Sequence, residues 1–244
     1  MLMLLDRPKD KIPKDQPKEE GSQKIYIPHQ WLGEALKKHA TQLLDAERIT
    51  FTSAYLPAHD AVAHCVVGDA KGLPAGVRYT FGVVNGNTGN RQQLKFYSGV
   101  SVHGNGVPLF CRQVDKITLM GRKQTQVEGK VDRVIRDQLC LKSELGEVSD
   151  RWHKMMGNKL NPLTATKYFM QAGNDKLLAA SRVVTAFRLY EHLLDDQNLK
   201  KLHGTSAGAA ACFANQNAKQ HPVHQMANGF AFTQILIHGI GNAG

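Results

Sequence analysis

Gly204-Thr205-Ser206-Ala207-Gly208 is the run in this chain whose spacing most resembles a nucleophile turn. In such a G-x-S-x-G turn, a buried strand delivers the serine and nearby backbone amides hold the oxyanion. Here the residues before it, Asp195 to His203 (DDQNLKKLH), are polar and basic, so no buried strand leads into Ser206. Small residues at this density suit close helix packing, with Thr205 or Ser206 as a helix cap. His59-Asp60 and His64 are the other acid/base candidates. His221 and His224 are spaced to share a helix face, and His203 and His238 could join them, but no carboxylate stands close by in sequence to complete a metal shell. Cys65, Cys111, Cys140 and Cys212 form no CxxC pair, which argues against a zinc knuckle and for scattered buried thiols. No metal and no cofactor is expected.

Charge offers a different chemistry. The 244 residues carry 31 basic against 21 acidic side chains, a net +10. An excess of this size favours polyanions, and nucleic acid first. The candidate surface is the polar face of a strand, Arg91, Lys95 and Tyr97, extended by Arg78, Arg112 and Lys116 on neighbouring strands. Arg122 and Lys123 add charge just before a helix, and Lys130 adds more within it. The expected mechanism is lysine and arginine on phosphates with Tyr97 stacking on bases.

These residues need a scaffold. With 42% apolar residues the chain can bury a real core. Residues 1–24, rich in proline, lysine and acid after MLMLL, read as a disordered basic tail, and 25–244 as one α+β domain. MLMLL is too short for a signal-peptide core and no run is long enough to span a membrane, so a cytoplasmic protein without membrane contact is expected. A helix should begin near Pro28 or His29, burying Trp31, Leu32, Leu36 and Ala40, with His39 toward the surface. Alternation then predicts strands over 48–55, 61–67, 77–84, 92–102 and 107–120: an antiparallel β-meander with one buried face. The helical C-terminal half should hold a long amphipathic helix over 127–156, kinked or split at Gly146, then helices over 164–171, 175–194, 205–214 and 222–238. The asparagine–glycine clusters at 85–90 and 103–106 read as hairpin turns.

The order of those clusters carries a resemblance. VVN ending at Asn85, an apolar alternating strand, then His103-Gly104-Asn105-Gly106 is similar to the phage/plasmid-like family of unknown function, with its N-S-x-D-G turn, strand and V-C-x-N-G element. His103 stands where that family often has cysteine. Asn228-Gly229-Phe230-Ala231-Phe232-Thr233 with His238 resembles its N-A-V-T-E-Y-x-x-H helix, with Gly229 in place of alanine and Gln234 in place of the acid. The resemblance implies a mobile-element origin, work near DNA, and a shared polar role for Asn85, His103, Asn105 and Asn228. The pentapeptide at Ser206 also resembles the nucleophile motif of patatin-like lipases, whose partner aspartate lies well downstream; here no aspartate follows Asp196.

The leading expectation is therefore a nucleic-acid-binding protein of a phage or plasmid, aiding replication, recombination or single-strand annealing, and able to work as a homo-oligomer. The alternative is a mobile-element interaction protein that inhibits or adapts a host complex. A third is a hydrolase using Ser206 or the His59/Asp60/His64 group.

Overall fold

The computed structural model describes residues 27–44, 49–70, 73–74, 76–86, 93–102, 108–119, 124–140, 142–197 and 199–239. The expected N-terminal tail lies outside them. Helix α1 (His29–Leu43) leads into five strands: β1 (Thr50–Leu56), β2 (Ala61–Gly68), β3 (Val77–Gly86), β4 (Gln93–Val102) and β5 (Pro108–Thr118). They form one antiparallel sheet in sequence order, β1-β2-β3-β4-β5. Seven α-helices are described in all, six of them after the sheet: α2 (Gln124–Cys140), α3 (Lys142–Gly157), α4 (Pro162–Asn174), α5 (Ala180–Glu191), α6 (Ser206–Asn217) and α7 (Pro222–His238). The meander followed by a helical half is the expected α+β order. Among the described residues, no helix is long and apolar enough to cross a membrane.

The sheet is buried on both faces, not one. Tyr79, Phe81 and Val83 of β3 and Leu94, Phe96 and Val100 of β4 are fully buried, in one cluster with Leu32 and Leu36 of α1 and Val127 and Val131 of α2. On the opposite face Ala63, Tyr97 and Phe110 pack against Met226, with Val223 and Phe230 of α7 around them. Gly82 makes this second layer feasible, because a Cβ there would lie 2.6 Å from the Met226 sulfur. The polar alternation visible in the sequence belongs to the strand ends; α7 covers the middle.

Two helices, α2 ending at Cys140 and α3 beginning at Lys142, stand where one long helix was expected, and Gly146 lies exposed inside α3. The physical reason is phase. Val127, Val131, Ile135 and Leu139 form one buried stripe, and Val148, Trp152 and Met155 another. Nine residues separate Leu139 from Val148, so in one straight helix the stripes would point roughly 180° apart at 3.6 residues per turn. Breaking the helix lets both face the core. Likewise α5 starts at Ala180, five residues later than its sequence pattern implies.

His39 is buried rather than superficial. Its Nε2 lies 2.8 Å from Asp132 Oδ1, tying α1 to α2. That hydrogen bond holds the Asp132 carboxyl below its ordinary range. The N-termini of the late helices carry the caps their sequences imply: Asn161 accepts from Thr164 N–H at 2.8 Å, and Thr205 accepts from Gly208 N–H at 3.1 Å. Helix α6, rich in alanine, is buried on nearly every side, the pattern of a central core helix.

Candidate nucleic-acid interface

Register decides which basic residues meet. Lys95 of β4 lies directly opposite Lys116 of β5 and, on its other side, opposite Val84 of β3. Lys116 is exposed and Lys95 half-buried, and neither side chain has an ion pair among the described residues. The nearby carboxylate of Asp115 is engaged by Lys130 of α2 at 3.6 Å. Arg112 is drawn away by Glu147 of α3, at 3.0 Å. Arg78 sits near the opposite end of the sheet, paired with Ser101, and its guanidinium is held by Asp69 at 3.0 Å and by the Val67 carbonyl. Arg91, Arg122 and Lys123 lie outside the described residues. Among the described basic candidates, Lys95 and Lys116 are the pair that the register brings together.

Tyr97 leaves the candidate surface altogether. It is 2% exposed, edge-on to Phe110 and tilted against Phe230, each ring centre 6.2 Å away. Burial pushes its hydroxyl up to about 12. It is a core residue under α7 and cannot stack on a base.

The same end of the sheet holds a buried polar chain. Asn85 is a fully buried strand residue next to the end of β3, not a turn residue. Its Nδ2 donates to the Ile27 carbonyl at 2.9 Å and to His29 Nδ1 at 3.1 Å. That leaves the His29 proton on Nε2, which donates to Asp60 Oδ1 at 3.2 Å. The Tyr55 hydroxyl donates to the same oxygen at 2.9 Å. Asp60 adopts a left-handed conformation (φ 39°) at the β1–β2 turn, which aims its carboxylate back at His29. His64 forms a second strut: Nε2–H donates to the His29 carbonyl at 2.9 Å, and Nδ1 accepts from the Ser53 hydroxyl at 2.7 Å.

Burial, the dominant influence, lowers His64 to about 4, opposed only in part by its bond to the His29 carbonyl. Such a weak base, fixed between two partners, secures the start of α1 rather than abstracting a proton. Asn85, Asp60 and His64 thus converge, through His29, on one structural junction. The sign of the pH effect follows. The His64 folded value is depressed below 6.5, so its contribution to stability is complete above pH 6.5 and is lost as pH falls toward 4. At about 1.4 kcal/mol per unit, the loss is about 3 kcal/mol. Unfolding midpoints measured across this range should fall in the native chain and fall less steeply in His64→Gln.

The remaining candidates are dispersed. His59 meets His224 edge-on at 6.4 Å between ring centres, and His221 caps α7 while its Nε2–H reaches the Tyr55 carbonyl at 3.1 Å. His203 stacks on Tyr190 instead of joining them. Among the described residues, no three His, Cys, Asp or Glu side chains could hold a metal ion. Asn228 donates to the Leu177 carbonyl and to Gln220, apart from Asn85; His103 and Asn105 lie outside the described residues. Ser206 is fully buried at the first turn of α6, and its hydroxyl accepts from Asn158 at 2.6 Å. A cavity of about 350 Å³ beside Asn158 is lined by Lys154, Met155, Leu236 and Ile237, with no histidine or carboxylate. The thiols of Cys65, Cys111 and Cys212 are each pushed up to about 12 by burial, so none is a reactive thiolate.

His29, Tyr55 and Ser53 were not legible as site residues. Their partners lie far off in sequence, and only the fold brings them together. No protein-family model, curated protein or solved structure matches the chain.

Proposed function

We propose that the chain binds nucleic acid, with Lys95 and Lys116 at the centre of the contact. The observation that carries this reading is the like-charged cross-strand pair. Two lysines directly opposite on a sheet repel, at a cost of roughly 0.2–1 kcal/mol, and among the described residues the nearby Asp115 carboxylate is engaged by Lys130 instead. A phosphate bridging both ammonium groups would turn that cost into attraction and release condensed counterions. The net charge of +10 works in the same direction. With Tyr97 buried, this contact reads the backbone rather than the bases, so binding is strongly salt-dependent and largely indifferent to sequence. A role in replication, recombination or strand annealing on a phage or plasmid draws on the family resemblance alone.

Fluorescence anisotropy with labelled single-stranded and double-stranded DNA at low salt tests the reading. Lys95→Glu/Lys116→Glu should weaken binding by about tenfold or more, because two phosphate contacts become repulsions. Unchanged affinity would remove these lysines from the interface. An interaction protein acting on a host complex is the second reading, favoured by Leu163 and Met170 of α4 and Leu194 beyond α5, which are apolar and well exposed. It predicts no salt-sensitive DNA binding, so the same titration separates the two.

A further inference from the structure

Register places an aromatic ring near the two lysines. Lys95 and Tyr97 lie two residues apart on β4, so their side chains leave the same face of the sheet, roughly 7 Å apart along the strand. Against β3 the register is unbroken: Lys95 stands opposite Val84, and Tyr97 opposite Gly82. Gly82 is the position that receives Met226, so Lys95, Val84 and Lys116 all rise from the face that α7 crosses.

Helix α7 leaves the Lys95 end of that face open. After Gly82 it passes Phe110, where a Cβ on Gly229 would lie 3.6 Å from the backbone nitrogen and the Thr233 hydroxyl donates to the carbonyl at 3.1 Å. Phe110 pairs with Gly99, so the helix crosses β4 on the side of Tyr97 away from Lys95. From the helix, Phe230 reaches Tyr97 with ring centres 6.2 Å apart. Val84, the residue opposite Lys95, packs on the same small cluster, as does Ala227. All three are only half-buried, so they form an apolar shelf, with Lys95 at its side and the exposed Lys116 beyond. The elements around the shelf are free of negative charge: β3, β4 and α7 contain no aspartate or glutamate. On β5, Asp115 is taken by Lys130.

The geometry points to single-stranded nucleic acid as the ligand of this face, with a base laid on Phe230 and the adjoining phosphates on Lys95 and Lys116. This rests on the nucleic-acid reading above and adds the substrate class. A single strand offers what the face can take: bare base faces and phosphates about one residue pair apart from them. A duplex buries its base faces against one another and can use the lysines alone. The ring is therefore what separates the two forms. Stacking accepts any base, because each has a π-face, so the contact stays indifferent to sequence.

Anisotropy with oligo(dT) and with a duplex of the same length, at equal salt, tests this. The native chain should bind oligo(dT) more tightly. Phe230→Leu keeps an apolar group on Tyr97; it should lose about fivefold or more for oligo(dT), the loss of one stacked base, and leave duplex binding unchanged. Phe230→Trp should retain affinity, and its added emission over Trp31 and Trp152 should be quenched by oligo(dT) and not by the duplex. Phe230→Leu binding oligo(dT) like the native chain, an unquenched indole, or equal losses for both forms would overturn the proposal. So would a polyglutamate peptide that competes with oligo(dT) as well as DNA does, which would make the face a site for acidic protein segments. If Lys95→Glu/Lys116→Glu still weakens binding in those cases, the nucleic-acid reading stands and this inference alone fails; a native chain that binds neither form removes both.

Discussion

Gly208→Ala should destabilise the protein by about 3 kcal/mol or more, whereas Ser206→Ala should cost about 1 kcal/mol. A Cβ on Gly208 would lie 2.3 Å from the Leu202 carbonyl oxygen and 2.9 Å from Leu193 Cδ1. The first of these atoms is backbone, so no rotamer change relieves the clash. The turn that precedes α6 would have to move, and it is anchored from both sides: Thr205 Oγ1 donates to the Leu202 carbonyl at 2.7 Å, and Ser206 N–H donates to the Asn158 carbonyl at 2.9 Å. Ser206→Ala removes only a hydroxyl that accepts from Asn158. In a chain of this size, 3 kcal/mol corresponds to a midpoint lower by roughly 6–12 °C, which differential scanning calorimetry resolves easily. A catalytic elbow would show the reverse pattern, with Ser206 indispensable to an activity and both residues tolerant in stability. The pentapeptide is thus explained by packing: Gly204 takes the left-handed conformation (φ 69°), Thr205 caps, and Gly208 lets the turn close on the helix.

Phe232→Ala is expected to cost about 3–5 kcal/mol. Phe232 is fully buried in α7 and stacks on Phe213 of α6, ring centres 4.1 Å apart and nearly parallel at 10°. Phe169 of α4 closes the other side at 5.5 Å and itself meets Phe187 and Tyr190 of α5. Phe232 therefore ties α7 to α6 and α4, and Phe169 carries the cluster on to α5. Truncating it leaves a cavity among rigid aromatic neighbours that cannot collapse into the space, which puts the loss at the high end for a core phenylalanine. Denaturant unfolding should show a lower midpoint with an unchanged slope, because the same surface is exposed on unfolding.

What the sequence made legible follows from periodicity. The strands of the meander alternate, and a short-range pattern needs no distant partner to be read. Helix α7 was equally plain, since Pro222 opens it and its apolar run ends at His238. What could not be read was anything set by packing across elements. The second buried face of the sheet depends on Gly82 receiving Met226, residues 144 positions apart. Without it, Tyr97 looked like a surface aromatic beside Lys95. The His29–Asp60 contact spans 31 positions and the Asn85–His29 contact 56, so no local motif marks them. Asn85 followed by glycine has the composition of a turn, yet β3 continues through both residues and buries the asparagine to hold Ile27 and His29. The basic candidates fared similarly: Arg78 and Arg112 are neutralised by Asp69 and Glu147, acids that no strand pattern pairs with them.

The salt dependence of DNA binding tests the central claim most directly. Anisotropy titrations over a series of salt concentrations give the slope of log affinity against log salt for the native chain and for Lys95→Ala/Lys116→Ala. If both lysines neutralise phosphates, the variant's slope should be shallower by about 2, close to 1 per lost contact, with weaker binding at every salt concentration. Identical slopes, or a native chain that binds neither single-stranded nor double-stranded DNA at low salt, would contradict the account.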